Sequence, residues 1–349
     1  MRRIFQLAKM TAPRTAVILM MVGSLPGLAA DWSPRRAADY LDARQKLWLA
    51  WPRAAAPGGS CVSCHTGVTY LLARPALRQV LGEGGPTEYE ARLVDGLKVR
   101  LEPGSKGMFK NTKEPQATQA AAIEAIIAAL FVGSDRAYER MWGLQKRGSW
   151  AWFDFKLDPW EASHSGYFGA VLAAVAAGSA PSQHRKVAEL AAYLQEGQAR
   201  QPLHNRLMLL WAAAKVPEAA SVETRQQIIK DGLRQQQEDG GWTMESLGPF
   251  LAHAGAPLLS GSSAYATALA AFALDQGGVS RSDTRMARAL EWLKSHQDSE
   301  SGSWPAVSMN RVYPADSIEA GFMSEAATAF AVLALLGSEP NVAASAKRR

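Results

Sequence analysis

Five stretches of this chain are rich in alanine and leucine and poor in β-branched residues: 120–132, 169–177, 207–214, 264–274 and 326–336. Length and propensity make them buried helices rather than strands. Between them lie more polar stretches, 35–48, 87–101, 136–146, 183–198, 222–237 and 283–297. These carry apolar residues at helical spacing, such as Leu190, Ala191 and Leu194, and form an outer layer over the apolar helices. A further inner element at 64–74 completes six. The inner elements begin near 64, 116, 164, 204, 263 and 322. A unit recurring every ~40–60 residues without alternating strands is a helical repeat. The expected fold is therefore all-α: about six outer–inner hairpins, as an open solenoid or as a closed (α/α)6 toroid. In a toroid the inner helices aim their N-termini at one end of a central cavity. That end would collect His65, His164 and His204, together with the partial positive charge of helix N-termini.

The chain has 349 residues, 48% of them apolar and 20% charged, which suits a globular protein and excludes a disordered one. Its net charge of +6 is misleading. Arg2, Arg3, Lys9 and Arg14 lie in residues 1–30, which contain no acid, and the balance without them is +2. Residues 16–25 are an apolar run, and Leu28-Ala29-Ala30 is a small-residue cleavage pattern ahead of Asp31. Residues 1–30 thus have the layout of a secretory signal peptide, which places the protein in the periplasm. A single domain over 31–340 and a disordered tail at 341–349 follow. No basic face remains for nucleic acid. No later run of eighteen uninterrupted apolar residues supports stable membrane insertion.

The two cysteines are three positions apart in Cys61-Val62-Ser63-Cys64-His65. Two thiols at this spacing can add to the two vinyl groups of a haem, and the adjacent imidazole can reach its iron. The expected cofactor is covalent haem c on Cys61 and Cys64, with His65 as proximal iron ligand and an unidentified redox partner. A disulfide with a bystander histidine is the alternative. Zinc lacks a second pair of ligands. For the sixth iron position the candidates are Met108, in the Gly-rich loop 103–109, and His204; His164 and His253 are further ones. Met323 is expected in the core.

Gln235-Gln236-Gln237-Glu238-Asp239-Gly240-Gly241-Trp242 and Gln297-Asp298-Ser299-Glu300-Ser301-Gly302-Ser303-Trp304 resemble QW repeats, and Gln145-Lys146-Arg147-Gly148-Ser149-Trp150 is a shorter version. In such a turn Asp and Gly close the outer helix, Trp packs back on its end, and Gln can bond loop carbonyls. The repeats are similar to those of squalene–hopene cyclases and the wider terpenoid-cyclase and prenyltransferase toroids, over roughly residues 85–337. The inner segments Tyr265-Ala266-Thr267-Ala268-Leu269-Ala270 and Glu325-Ala326-Ala327-Thr328-Ala329-Phe330 fit the same pattern. The chain departs from those cyclases in lacking an Asp-x-Asp-Asp acid motif. It also resembles a group of exported bacterial squalene-cyclase-like proteins. That likeness rests on Cys-x-x-Cys-His-Thr, Ala73-Arg74-Pro75-Ala76-Leu77, Pro159-Trp160-Glu161, Gln201-Pro202-Leu203-His204-Asn205 and Trp304-Pro305-Ala306.

Trp150, Trp152, Phe153, Phe155 and Trp160 crowd into eleven residues with Asp154, Asp158 and Glu161. They line a cavity or seal loops. Three functions are compatible with these features. The first is an exported c-type haem protein for electron transfer or haem-dependent redox chemistry. The second is a haem-free terpenoid-cyclase-like enzyme or isoprenoid binder with an apolar small molecule in the toroid cavity. The third is a carbohydrate-active or scaffold toroid using two of Asp154, Asp158, Glu161, Glu245, Glu319 and Glu325.

Overall fold

The computed structural model describes residues 32–105, 113–250, 261–337, 340 and 342. The expected signal peptide, Met108, His253 and most of the tail lie outside the described residues. The helices are α1 (Pro34–Ala50), α2 (Gly67–Val80), α3 (Glu88–Leu101), α4 (Gln116–Phe131), α5 (Asp135–Gly143), α6 (Ser165–Gly178), α7 (Ala188–Gly197), α8 (Leu203–Lys215), α9 (Val222–Arg234), α10 (Met244–Leu247), α11 (Ala264–Gln276), α12 (Thr284–Ser295) and α13 (Phe322–Leu336). A two-stranded antiparallel hairpin, β1 (Ala55–Ala56) and β2 (Gly59–Ser60), pairs Ala55 with Ser60. The protein is mostly helical, as its apolar periodicity requires. The observed inner helices begin at 67, 116, 165, 203, 264 and 322, within three residues of expectation. Residues 181–186 form a 3₁₀ segment rather than the start of α7.

Two layers separate by composition. In α4, α6, α11 and α13 every face is covered, so these helices need no polar stripe. Outer helices begin on polar caps: Ser33, Thr87, Ser134, Ser221 and Asp283 accept backbone N–H groups of α1, α3, α5, α9 and α12. α4 packs on α6, α6 on α8, α8 on α11, α11 on α13, and α13 on α2. The last inner helix is therefore a neighbour of the first. Four outer helices pack most closely on the inner helix before them, α5 on α4, α7 on α6, α9 on α8 and α12 on α11, whereas α1 and α3 pack more on the inner helices that follow, α2 and α4. The expected outer–inner hairpin therefore holds for α1 and α3 and is corrected for the other four. The inner-to-outer links are short, such as 132–134 and 277–283, whereas all but one of the outer-to-inner links are long. A short link forces its two helices together.

The QW-like turns tie successive units. The indole N–H of Trp150, Trp242 and Trp304 donates to the carbonyl of Met141 (2.7 Å), Gly232 (2.8 Å) and Leu293 (2.7 Å), near the end of the preceding outer helix. Thr267 and Thr328 on inner helices accept from the backbone N–H of Trp242 (2.9 Å) and Trp304 (3.0 Å). Gln236 donates to Gly240 O and to Arg285 O at the start of α12, both 2.8 Å. Gln297 does the same to Gly302 O (2.8 Å) and to Ser33 O at the start of α1 (3.1 Å). Arg288 donates to Glu238 O, and Arg36 to Ser299 O. The chain's first helix thus meets the last turn as α12 meets the turn before it.

Beneath the cysteines, Arg100 of α3 pairs with Glu124 of α4 at 2.7 Å, both fully buried, and donates to Pro57 O at 2.9 Å. That joins α3, α4 and the hairpin.

Gly302 has φ +78°, and a Cβ there would lie 2.4 Å from Arg36 O. Gly278 has φ +88° with open space around it. Gly278→Ala should cost about 1 kcal/mol, from left-handed strain alone. Gly302→Ala should cost roughly 3 kcal/mol or more, because strain and a backbone clash add. Urea unfolding of both variants checks the difference.

Candidate functional site

The N-terminal ends of α2, α6, α8, α11 and α13 and the segment 150–164 meet in one aromatic network. His65, two residues before α2, stacks on Phe322 of α13 at 4.0 Å between ring centres. It meets Trp48 edge-on at 5.9 Å and Trp160 at 6.0 Å. Trp160 reaches Tyr265 of α11 at 5.3 Å. Tyr265 reaches His204 of α8, and Phe250 lies 6.1 Å from both His204 and His164. The expected gathering of His65, His164 and His204 at one end is thus realised through intervening rings.

His204 is fully buried and satisfied. Asn205 Nδ2 donates to His164 O and Gln201 Oε1, both 3.0 Å, so its Oδ1 faces His204 Nδ1 as acceptor at 2.9 Å. The proton of His204 therefore sits on Nδ1, and Nε2 accepts from the Tyr265 hydroxyl at 2.9 Å. Burial lowers its pKa to about 4, which keeps the ring neutral. With both nitrogens engaged, His204 has none left for iron. His164 stands 3.5 Å from Asp158, and burial lowers its pKa against the pull of that carboxylate.

The covalent haem expected from Cys61, Cys64 and His65 does not fit this arrangement. Among the described residues no group of three or more His, Cys, Asp and Glu side chains could hold a metal ion. The cysteines are free thiols, 9% and 8% exposed. Burial pushes Cys61 up to about 12 and Cys64 higher still, so both stay protonated. A macrocycle bonded to both sulfurs needs them at an open face and needs an imidazole free to face iron. Here the sulfurs lie in the core, and the imidazole is stacked on Phe322 and flanked by two tryptophans. Trp48 Nε1 donates to Cys61 O at 2.8 Å and holds the loop in place. The proximal-ligand role of His65 falls with the haem.

Most of the crowded aromatics seal loops. Trp150 caps α5, Trp152 Nε1 donates to Trp160 O at 2.7 Å, and Phe153 stacks on Phe155 at 4.9 Å. Most of the acids are also engaged. Asp154 caps Lys156 N, the Asp158 carboxylate faces His164 Nε2 at 3.5 Å, Glu319 pairs with Arg53 and Glu325 with Arg44, each at 2.7 Å.

Glu161 differs. Its backbone is fixed by two hydrogen bonds with Leu157, at 2.8 and 3.0 Å, but its half-buried carboxyl meets no hydrogen-bonding partner among the described residues. Its charge is felt by both thiols. Burial alone raises its pKa to about 7. His65 is similar: Nδ1 sits 3.5 Å from Ser63 Oγ, Nε2 has no partner among the described residues, and burial lowers the ring to about 4. Burial thus favours the neutral form of both groups, and His65 lies among aromatic rings. Sequence reasoning included Glu161 among six acids without separating it. It did not mark Trp48 or Phe322 as wall residues. The one available signal was that Phe322 starts its inner helix, as Ser165 and Leu203 start theirs beside His164 and His204.

No model of a known protein family matches the chain, and no curated protein matches it.

A carboxyl whose folded pKa is raised stabilises the fold only while protonated. Its contribution is full below the ordinary value of 4.5 and is lost as pH rises through about 7. Glu161→Gln removes this loss. Chemical denaturation should find the variant gaining on the parent by about 1–2 kcal/mol between pH 5 and pH 8.5. An advantage that does not change with pH would contradict the raised value.

Proposed function

We propose that this chain is a haem-free α/α toroid that holds an apolar, isoprenoid-like molecule against the aromatic wall at its inner-helix N-termini, with Glu161 as the acid of the site. The packing order of the inner helices, with α13 against α2 and α1 in the place of the next outer helix, supports the toroid. The QW-like turns point the same way. The layout of residues 1–30 supports an exported, periplasmic protein.

One observation carries the functional reading. Glu161 is a carboxyl without a partner among the described residues, set in an apolar surround that keeps it about half protonated at neutral pH. A carboxylic acid in an apolar pocket beside tryptophan can donate a proton at pH 7. The chain lacks the Asp-x-Asp-Asp acid of the cyclases it resembles, and Glu161 is the group placed to fill that role. Phe322 is half-buried, with Trp48 packed behind it and Trp160 and Tyr265 beyond, and ring faces of this kind favour hydrocarbon and stabilise developing positive charge.

β-Farnesene, a volatile isoprenoid hydrocarbon, tests the reading. Headspace depletion and quenching of tryptophan fluorescence should both saturate at one molecule per chain. Trp160→Ala should weaken binding roughly tenfold, equivalent to ~1.4 kcal/mol. Depletion that rises linearly without saturation, or that ignores Trp160→Ala, would sink it.

A further inference from the structure

Building on that reading, we propose that residues 307–317 form a strap across the aromatic network, fastened by Asn310, and that an apolar molecule enters and leaves when Asn310 lets go. The inference starts from one side chain. Asn310 Oδ1 accepts from Asp158 N at 3.1 Å, and its Nδ2 donates to Asp158 O at 2.6 Å, across 152 positions of sequence. Asp158 sits in the turn 157–161, which backbone hydrogen bonds between Leu157 and Glu161 close and which also carries Trp160. Each carbonyl at the tip of that turn receives a side-chain donor: Asn310 at Asp158 O, Ser165 Oγ at Pro159 O (3.0 Å) and Trp152 Nε1 at Trp160 O (2.7 Å). Ser165 and Trp152 belong to the turn's own stretch of chain. Asn310 comes from the link between α12 and α13 and joins it to the link between α5 and α6. α6 packs on α4 and α8, and α13 on α11 and α2, so α8 and α11 stand between the two helices that these links enter. The bond therefore crosses the end where the inner helices begin. The rings beside it are those of the site: Trp160, two residues from Asp158, and Phe322 at the start of α13, with His65 in contact with both.

The strap is fixed at its ends and light in between. Ala306 exchanges two hydrogen bonds with Ser324 Oγ, at 2.9 and 3.0 Å, and Ile318 O accepts from Arg44 at 2.6 Å. Within 307–317, Val307 and Val312 are 49% and 69% exposed, and Met309 is the one buried side chain. A segment with firm ends, little buried apolar surface and a polar fastening at mid-span opens locally while its neighbours stay folded. Such openings set the rates at which a site fills and empties. Asn310 acts through the turn that carries Trp160, so it is a positioning residue, and loosening it changes rates rather than affinity.

Two measurements on the full chain test this: stopped-flow quenching of tryptophan fluorescence by β-farnesene, and amide hydrogen exchange without farnesene, read by mass spectrometry. In Asn310→Ala, association and dissociation of farnesene should both quicken by about fivefold or more, with Kd held within about twofold. Exchange in the peptides containing Asp158 and Asn310 should quicken by about tenfold, while α11 and α13 keep the parent's protection. Met309→Ala, which removes the strap's buried side chain and leaves Asn310 in place, should move both readouts in the same direction. Exchange that quickens evenly across the helices makes Asn310 a brace of the whole fold and overturns the proposal. Unchanged exchange at Asp158 overturns it as well. Faster exchange with unchanged farnesene rates also overturns it, and leaves the binding reading standing. Farnesene that never saturates the parent protein removes the binding reading, and the strap's role with it.

Discussion

A helix that is apolar on every side has to be buried on every side, and this constraint governs the whole protein. α4, α6, α11 and α13 have no polar face, so each needs inner neighbours on its flanks and an outer helix behind it. Short inner-to-outer links collect at the C-terminal ends of the inner helices, which leaves the long links to gather at the opposite end. Those links carry His65, Trp160, Glu161 and His164. The location of the candidate site therefore follows from the connectivity that buries the core.

The same solution recurs at each turn. A tryptophan donates to an exposed carbonyl near the end of an outer helix, a threonine from the inner helix accepts the tryptophan's own backbone N–H, and a glutamine reaches the start of the next outer helix. Because Gln297 reaches Ser33 as Gln236 reaches Arg285, α1 stands where a further outer helix would stand. The last turn of the repeat thus binds the chain's own first helix.

Much of this was legible in the sequence. Alanine-rich runs at regular intervals placed the inner helices, and the Gln–Gly–Trp turns marked the ends of the outer ones, because both features are local. Helix pairing was misread for α5, α9 and α12, because sequence order does not weigh link length. Cys61, Cys64 and His65 were misread for a different reason. Spacing shows that a haem could be bonded, whereas burial of the sulfurs is a tertiary property and the imidazole stacks on Phe322, more than two hundred positions away. Glu161 stood among several acids that look alike in sequence. What separates it is that no arginine among the described residues pairs with it as Arg44 pairs with Glu325 and Arg53 with Glu319, and that is a tertiary property.

The proposed role of Glu161 requires it to be an acid rather than a carboxylate near neutral pH. Carboxyl-carbon NMR of the protein labelled at glutamate Cδ, with the Glu161 resonance assigned by its loss in Glu161→Gln, measures this directly. The expected titration midpoint for that resonance is near pH 7. A midpoint close to the ordinary 4.5 would contradict it.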